Sequence, residues 1–495
     1  MGSTSTSIIL FLSAFSFFAV FTPMGHLPSD TVYSVATAES IVTRHSLVIE
    51  RGRAVGIDGQ RYSRYGIGYA VLFVPAVAAS HLLSTILSVN QEYIRQTIVS
   101  FTNTFFAAII IVQFYWIFLA IGYKRRLSLI SVTLIAAGSM LLPYSKIIHA
   151  EIPTMILILV FIAALIKNQG ITVTTGFLFS SLIAGLLLLK AGNIVYAFSI
   201  GVYVIWLLVQ RRGSVKGVVV FLVPLLCVGA VQLAFNQHRF GNFFNMGYGT
   251  EQVAFTNPVI NGLRDFLFSP SKSLFIFSPL IIIALFGISK VSKRNKLLTV
   301  TILAICVVNL VFFSKWYAWH GGWGWGPRLM LPAILLFHIF LPEAILWTKG
   351  HVGKQILFVI ITITAITVNI LGALVWYQQI YYFSKDLSQI KNSHVRIAAT
   401  ILTHKIQGNP EVYALRDFGI KGSAFLHPES WNKLCRGDSL DLSGFEKFKG
   451  YATLWSGLSN NFGLRWITIL PFILLICAGI GGKVLWSNTK PVRTP

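Results

Sequence analysis

Negative charge is scarce in this chain: 16 Asp and Glu stand against 40 Lys and Arg, a net charge of +24, and residues of either sign make up only 11%. So little charge excludes a solvated, disordered chain, and 55% hydrophobic residues with a mean hydropathy of +0.71 exclude an ordinary soluble domain. Cysteine is sparse as well. Cys227, Cys306 and Cys477 fall in apolar runs and only Cys435 in a polar one, so neither a disulfide framework nor a cysteine metal centre can be built. No Walker-type glycine loop, internal repeat or low-complexity tract is present, which argues against an ATP-driven pump. What the chain does have is apolar runs of about 16 to 25 residues, recurring along most of its length and each able to cross roughly 30 Å of hydrocarbon. Lipid offers no partner to backbone N–H and C=O groups, so these runs must be helices. The expected class is an all-α polytopic membrane protein.

Crossings are expected at 7–22, 97–121, 128–147, 153–167, 172–189, 193–210, 217–235, 273–289, 297–314, 328–347, 355–376 and 464–481, about twelve in all. The first, with no basic stretch before it and Pro23 after it, reads as an anchor helix and not a cleaved signal. Short basic connections follow alternate crossings: Lys124 to Arg126, Lys167, Arg211 to Lys216, Lys290 to Lys296, Lys349 with Lys354, and Lys483 to Arg493. The positive-inside rule puts these, and both termini, in the cytoplasm. Residues 66–89 form a further apolar segment that would invert every later loop if it crossed. It is expected to lie along the outer interface or re-enter, with Pro75, Ser80, His81 and Ser84 interrupting it. The competing reading is that it crosses and a later short segment does not.

With this topology every acid but Glu343 lies at the outer side, which is therefore the expected working face. The same face holds 24 of the 40 Lys and Arg, so it stays net positive, as suits a phosphate-bearing substrate or merely solvated loops. Three large outer elements emerge: the first loop (24–96, with the interfacial segment 66–89), the loop 236–273, and a cap over 377–463. Residues 1–376 form the expected catalytic module, and 464–495 the last crossing and a cytoplasmic tail.

Asp30 follows Pro28-Ser29 at the start of a short helix. An acid there either caps the helix or, ionised and oriented in a dry site, acts as general base toward an acceptor hydroxyl. Glu151 stands at the outer end of a crossing, two residues from His149. An acid at the membrane edge marks function by default, and the bland alternative is a water-exposed terminus. His149 and Glu151 could contribute to a divalent metal site, but two ligands are too few to claim one, so no cofactor is firmly expected and a divalent metal stays open without support from ligand spacing. Lys190 reaches an outer turn, where it either meets a lipid phosphate or snorkels to headgroups. The densest stretch runs from Lys315 to Arg328, with Trp316, Trp319, His320, Trp323 and Trp325 interleaved by Gly321, Gly322, Gly324 and Gly326. An aromatic belt needs no such glycines. They let aromatic faces pack around a ligand while Arg328 supplies a planar fork for phosphate. The loop 236–273 adds Arg239, Arg264 and Lys272.

Four stretches, namely 29–39 with 62–66, 144–151, Arg239-Phe240-Gly241 with Phe268-Ser269-Pro270, and 323–328, carry a resemblance in their order and spacing. The chain resembles the GT-C membrane glycosyltransferases, in the bacterial branch related to protein O-mannosyltransferases and the lipid A aminoarabinose transferase. The resemblance implies a GT-C-type transmembrane helix bundle with interfacial helices in the first outer loop and a small outer C-terminal cap. It implies a polyprenyl-phosphate-linked sugar donor, an active site on the outer face of a bacterial-type plasma membrane, and an acid of the first loop as base, which maps to Asp30. Glu151 occupies the place of the acid that helps organise the site. Thr31 follows Asp30 where several relatives carry a second acid, a departure that weakens any case for a metal.

The resulting expectation is an integral-membrane glycosyltransferase that moves a sugar to a hydroxyl acceptor on a glycan, lipid or protein. Asp30 and Glu151 are its catalytic pair. Arg328, Lys190, Arg64 and Arg239 are candidates for the donor phosphate, and Glu39, Tyr62, His149, Trp319, His320, Trp323 and Trp325 for the substrate. Membrane lipids are expected partners; nucleic acid is not. The alternative is a transporter or flippase of a lipid-linked sugar, which predicts paired charges near mid-membrane, discontinuous helices and a repeat relating two halves; none of these is evident in the sequence, whose acids gather on one side.

Overall fold

The computed structural model describes residues 3–22, 29–50, 52, 54–87, 91–168, 170–248, 254–269, 272–322, 324–374 and 469–487. The expected cap, Trp323 and the side chain of Asp30 lie outside them. In chain order the helices are α1 (Ser3–Ala19), α2 (Ser29–Arg44), α3 (Ile67–Val71), α4 (Val74–Leu87), α5 (Gln91–Ile121), α6 (Arg125–Gly138), α7 (Leu141–Ser145) and α8 (Glu151–Lys167). They continue as α9 (Val173–Leu189), α10 (Ile194–Val209), α11 (Val215–Phe240), α12 (Val259–Phe268), α13 (Leu274–Phe277), α14 (Leu280–Ala284) and α15 (Ile288–Arg294). The last are α16 (Lys296–Lys315), α17 (Leu331–Phe337), α18 (Leu341–Trp347), α19 (Val352–Leu374) and α20 (Leu470–Ser487). Strand β1 (Ala54–Val55) pairs antiparallel with β2 (Arg61–Tyr62), a small hairpin beside an otherwise helical bundle.

Local sequence explains where helices start and stop. Thr172 and Thr175 cap α9 reciprocally, Ser214 accepts from Gly217 N to cap α11, and Asn295 accepts from Leu298 N to cap α16. Packing then needs small residues. A Cβ on Gly176 would stand 2.3 Å from the Gly217 carbonyl, so α9 and α11 meet backbone to backbone.

Eight helical stretches among the described residues are long and apolar enough to cross a bilayer. Three expected crossings differ from what the structure shows. Residues 128–147 are not one helix: α6 ends at Ser139, whose backbone is extended, and α7 follows. The expected 273–289 crossing is a chain of short pieces, α13, α14 and a 3-10 turn at Leu285–Gly287, running into α15. Both breaks are tied to one side chain, since Asn369 Nδ2 on α19 donates to the carbonyls of Gly138 (3.1 Å) and Phe277 (3.4 Å). A broken helix inside a bundle is tolerated when a neighbour satisfies the freed carbonyls. The last helix, described over Leu470–Ser487, runs past the expected end at 481 because a lone Lys483 near a helix end does not stop it, while residues 464–468 of the expected crossing lie outside the described residues.

Residues 67–87 hinge at Leu72 and Phe73 into α3 and α4. Tyr69, Phe73 and Val77 pack with Val35 and Ala38 of α2, Val99 of α5, Ile148, Ala150 and Leu189. By length and composition Ile67–Ile86 is itself one of the eight candidate spans. Its buried face nevertheless meets one end of the bundle. The 31 residues of α5 reach about 46 Å, longer than hydrocarbon is thick, and α4 folds back along the first turns of α5, where Gln91 meets His81.

Candidate functional site

The site begins with a stretch of backbone that is not helical. Between α7 and α8, residues 146–150 leave the helical path inside the bundle, and their carbonyls need partners. Side chains from two other helices supply them. Asn103 Nδ2 donates to Ile147 O (2.8 Å) and His149 O (3.3 Å), Thr104 Oγ1 to Ser145 O (3.2 Å), and Thr31 Oγ1 to Ile148 O. This fixes His149 and Glu151 at the start of α8. It also ties the first turn of α2 to them, one residue from Asp30.

Glu151 is buried, and it is paired. Its Oε1 lies 2.8 Å from Lys190 Nζ and 3.8 Å from Arg328 Nε. Arg328 Nη1 stands 3.0 Å from His149 Nδ1. Guanidinium has only donors, so Nδ1 is the acceptor in this contact. The cluster thus joins four of the residues singled out in the sequence: Glu151, Lys190, Arg328 and His149. Two cations face one carboxylate, and the side chains of Lys190 and Arg328 keep 24% and 14% exposure. The surplus positive charge makes this a place for an anion and a poor one for a metal ion, because the acid and the imidazole nitrogen are already engaged by cations.

A third cation underlies it. Lys272, in the turn between α12 and α13, is 1% exposed, and its Nζ donates to the carbonyls of Gly322 (3.1 Å), Gly324 (2.8 Å) and Gly326 (3.1 Å). Burial, with the Arg328 charge as a lesser cause, lowers its pKa to about 7, while three carbonyls, one for each N–H of an ammonium, hold the charged form. The glycines of this loop therefore serve a cation cage. Gly321, Gly322 and Gly326 adopt left-handed φ values of 68°, 67° and 59°, curling the chain so that alternate carbonyls converge. A Cβ on Gly326 would also strike the Phe277 ring at 2.5 Å. Tyr144 Oη donates to Trp325 O (3.0 Å), anchoring the same loop to the end of α7.

The remaining predicted residues sit elsewhere. Trp325 is core, 1% exposed, packed edge-on to Phe277 at 5.3 Å. Trp319 packs edge-on to Phe266 at 5.2 Å, and His320 Nδ1 accepts from Gly322 N (3.0 Å). Arg239 is buried: it donates to Ser63 O (2.6 Å) and Asn236 Oδ1 (3.1 Å), between the rings of Phe235 and Phe240. It fastens the end of α11 to the β-hairpin loop. Arg64 lies over the rings of Tyr65 and Tyr248, with centroids at 5.3 and 5.7 Å. Glu39 forms an ion pair with Arg95. Tyr62 Oη donates to Asp58 Oδ2 (2.6 Å); that bond holds Asp58 below the usual carboxylate range, and burial first, then the bond, pushes Tyr62 up to about 12. Sequence reasoning missed the work of Asn103, Thr31 and the Lys272 cage. Asn103 carried a signal, a polar amide within an apolar run.

No protein-family model matches the chain, and no curated protein sequence does. Among the solved structures that align with it are ArnT from Cupriavidus metallidurans bound to undecaprenyl phosphate and the same protein in the apo state. Each alignment has 15% sequence identity, covers 84% of this chain and 75% of that chain, and gives a TM-score of 0.47.

Proposed function

We propose that this protein is an integral-membrane glycosyltransferase that takes a sugar from a polyprenyl-phosphate carrier and gives it to a hydroxyl acceptor on the outer face of the membrane. The observation that carries the reading is the Glu151, Lys190, Arg328 and His149 cluster, where two partly exposed cations outnumber one buried carboxylate. A leaving phosphate needs such a preorganised positive site, and in a water-poor setting it lowers the barrier by several kcal/mol. Glu151 sets the positions of both cations, a role its two ion pairs suit better than proton abstraction. Asp30 is the proposed base: Thr31, its neighbour in the chain, bonds to the backbone that carries His149. Inversion would then proceed with the acceptor hydroxyl losing its proton to Asp30 as it attacks the anomeric carbon. The phosphate departs toward Arg328 and Lys190.

The test follows release of polyprenyl phosphate from a panel of polyprenyl-phosphate sugars by the protein in lipid. The wild type is expected to release the carrier and Asp30→Asn to lose release by at least about a hundredfold while still folding. Binding of donor by both without release favours a lipid-linked-sugar transporter. Equal release by both keeps the transferase and moves the base to Glu39 or Asp58.

A further inference from the structure

The other end of the bundle holds a feature that the transfer chemistry leaves unused. Between α1, α5, α6 and α20 runs an apolar cavity of about 430 Å³, within the size range of ligand-holding pockets. Small residues keep it open: Ala14 on α1, Ala136 and Ala137 on α6, and Ala478 and Gly482 on α20 all line it. Trp486 also lines it, and the Arg126 guanidinium lies 4.6 Å from that ring's centroid, so Arg126 marks the mouth. Lys124, Arg125 and Arg126 are exposed there, as is Lys483, one turn before Trp486 on α20. From Arg126 to Ala137 the helix rises about 16 Å, roughly half the hydrocarbon thickness, so the slot is one leaflet deep. Arg126 lies in the first turn of α6, whereas His149 and Glu151 lie beyond α7, so this end faces away from the candidate active site.

We propose that the slot binds one anionic glycerophospholipid, with an acyl chain between α1, α6 and α20 and its phosphate against Arg126. The basic mouth selects an anionic head. A leaflet-deep apolar slot selects an attached acyl chain over a soluble anion, and it is too short to enclose a polyprenyl chain. The lipid would seal the seam between the first helix and the last one described. None of this depends on the transferase reading.

Native mass spectrometry of the full-length protein, titrated with phosphatidylglycerol, phosphatidylethanolamine of the same acyl chains, and undecaprenyl phosphate, tests it. The wild type is expected to retain one phosphatidylglycerol in preference to phosphatidylethanolamine. Arg126→Gln, an exposed position, should weaken that retention about fivefold, and Ala137→Phe should block it by filling the slot. Equal retention of the two phospholipids by the wild type would overturn the proposal, as would phosphatidylglycerol binding indifferent to Arg126→Gln. So would preferred undecaprenyl phosphate binding that Arg126→Gln abolishes. Should Ala137→Phe fail to fold, the head-group preference of the wild type and its loss in Arg126→Gln still decide.

Discussion

The two ends of α6 and its continuation treat positive charge in opposite ways. Beyond α7, Lys190, Arg328 and Lys272 are drawn in against Glu151 and a ring of carbonyls. At the start of α6, Lys124, Arg125 and Arg126 stand exposed, and the acid nearby, Glu343, is buried and paired with Arg294 at 2.9 Å. Charge held in a partly dry site interacts strongly and in one geometry, which suits chemistry; charge at a wet rim interacts weakly and over many geometries, which suits lipid headgroups. Number of cations does not distinguish the ends. Their environment does.

The sharpest way to break that contrast is Glu151→Gln, which leaves Lys190 and Arg328 facing one another without a counter-charge. Removing one partner of a buried pair costs about 3–5 kcal/mol, so a clear drop in the midpoint of thermal unfolding in detergent is expected. A midpoint unchanged from wild type would mean that the cluster is solvated. Next comes Lys272→Met, which strands three glycine carbonyls and should destabilise by about 1–3 kcal/mol, with tryptophan fluorescence reporting a loosened 321–328 loop. Arg126→Gln, at the exposed end, should change stability by less than about 0.5 kcal/mol in the same assay. A loss as large as that of Glu151→Gln would erase the distinction between the ends.

The last effect is a titration. Tyr62 is raised from its ordinary value near 10 to about 12 by burial and by its bond to Asp58, so its neutral form favours the folded state. That contribution is complete below pH 10 and is lost as pH climbs toward 12. Tyr62→Phe should remove this alkaline step from the stability profile, and an unaltered step would assign it to another group.

Much of this contrast was legible in the sequence, and the rest was hidden for a physical reason. Apolar runs announced most of the helices because burial of side chains and satisfaction of backbone both act within one segment. Glu151, Lys190, Arg328 and His149 stood out because charge at the edge of an apolar run is costly and therefore noticeable. The breaks in 128–147 and 273–289 did not, since Asn369 stabilises both from a helix far along the chain. Arg239 looked like a phosphate ligand for the same reason: the carbonyl it serves belongs to Ser63, 176 residues away. The glycines of 321–326 pointed to a special backbone, but their partner, Lys272, could be identified only once the turn after α12 had been placed beneath them.

The most direct measurement is the affinity of the folded protein for a polyprenyl phosphate, in wild type and in Arg328→Gln. Saturable binding by the wild type is expected, with a loss of at least about tenfold in the variant because a charge-assisted contact to phosphate is removed. Undiminished affinity in Arg328→Gln, or no binding by the wild type, would contradict the assignment of the Glu151 cluster as the phosphate site.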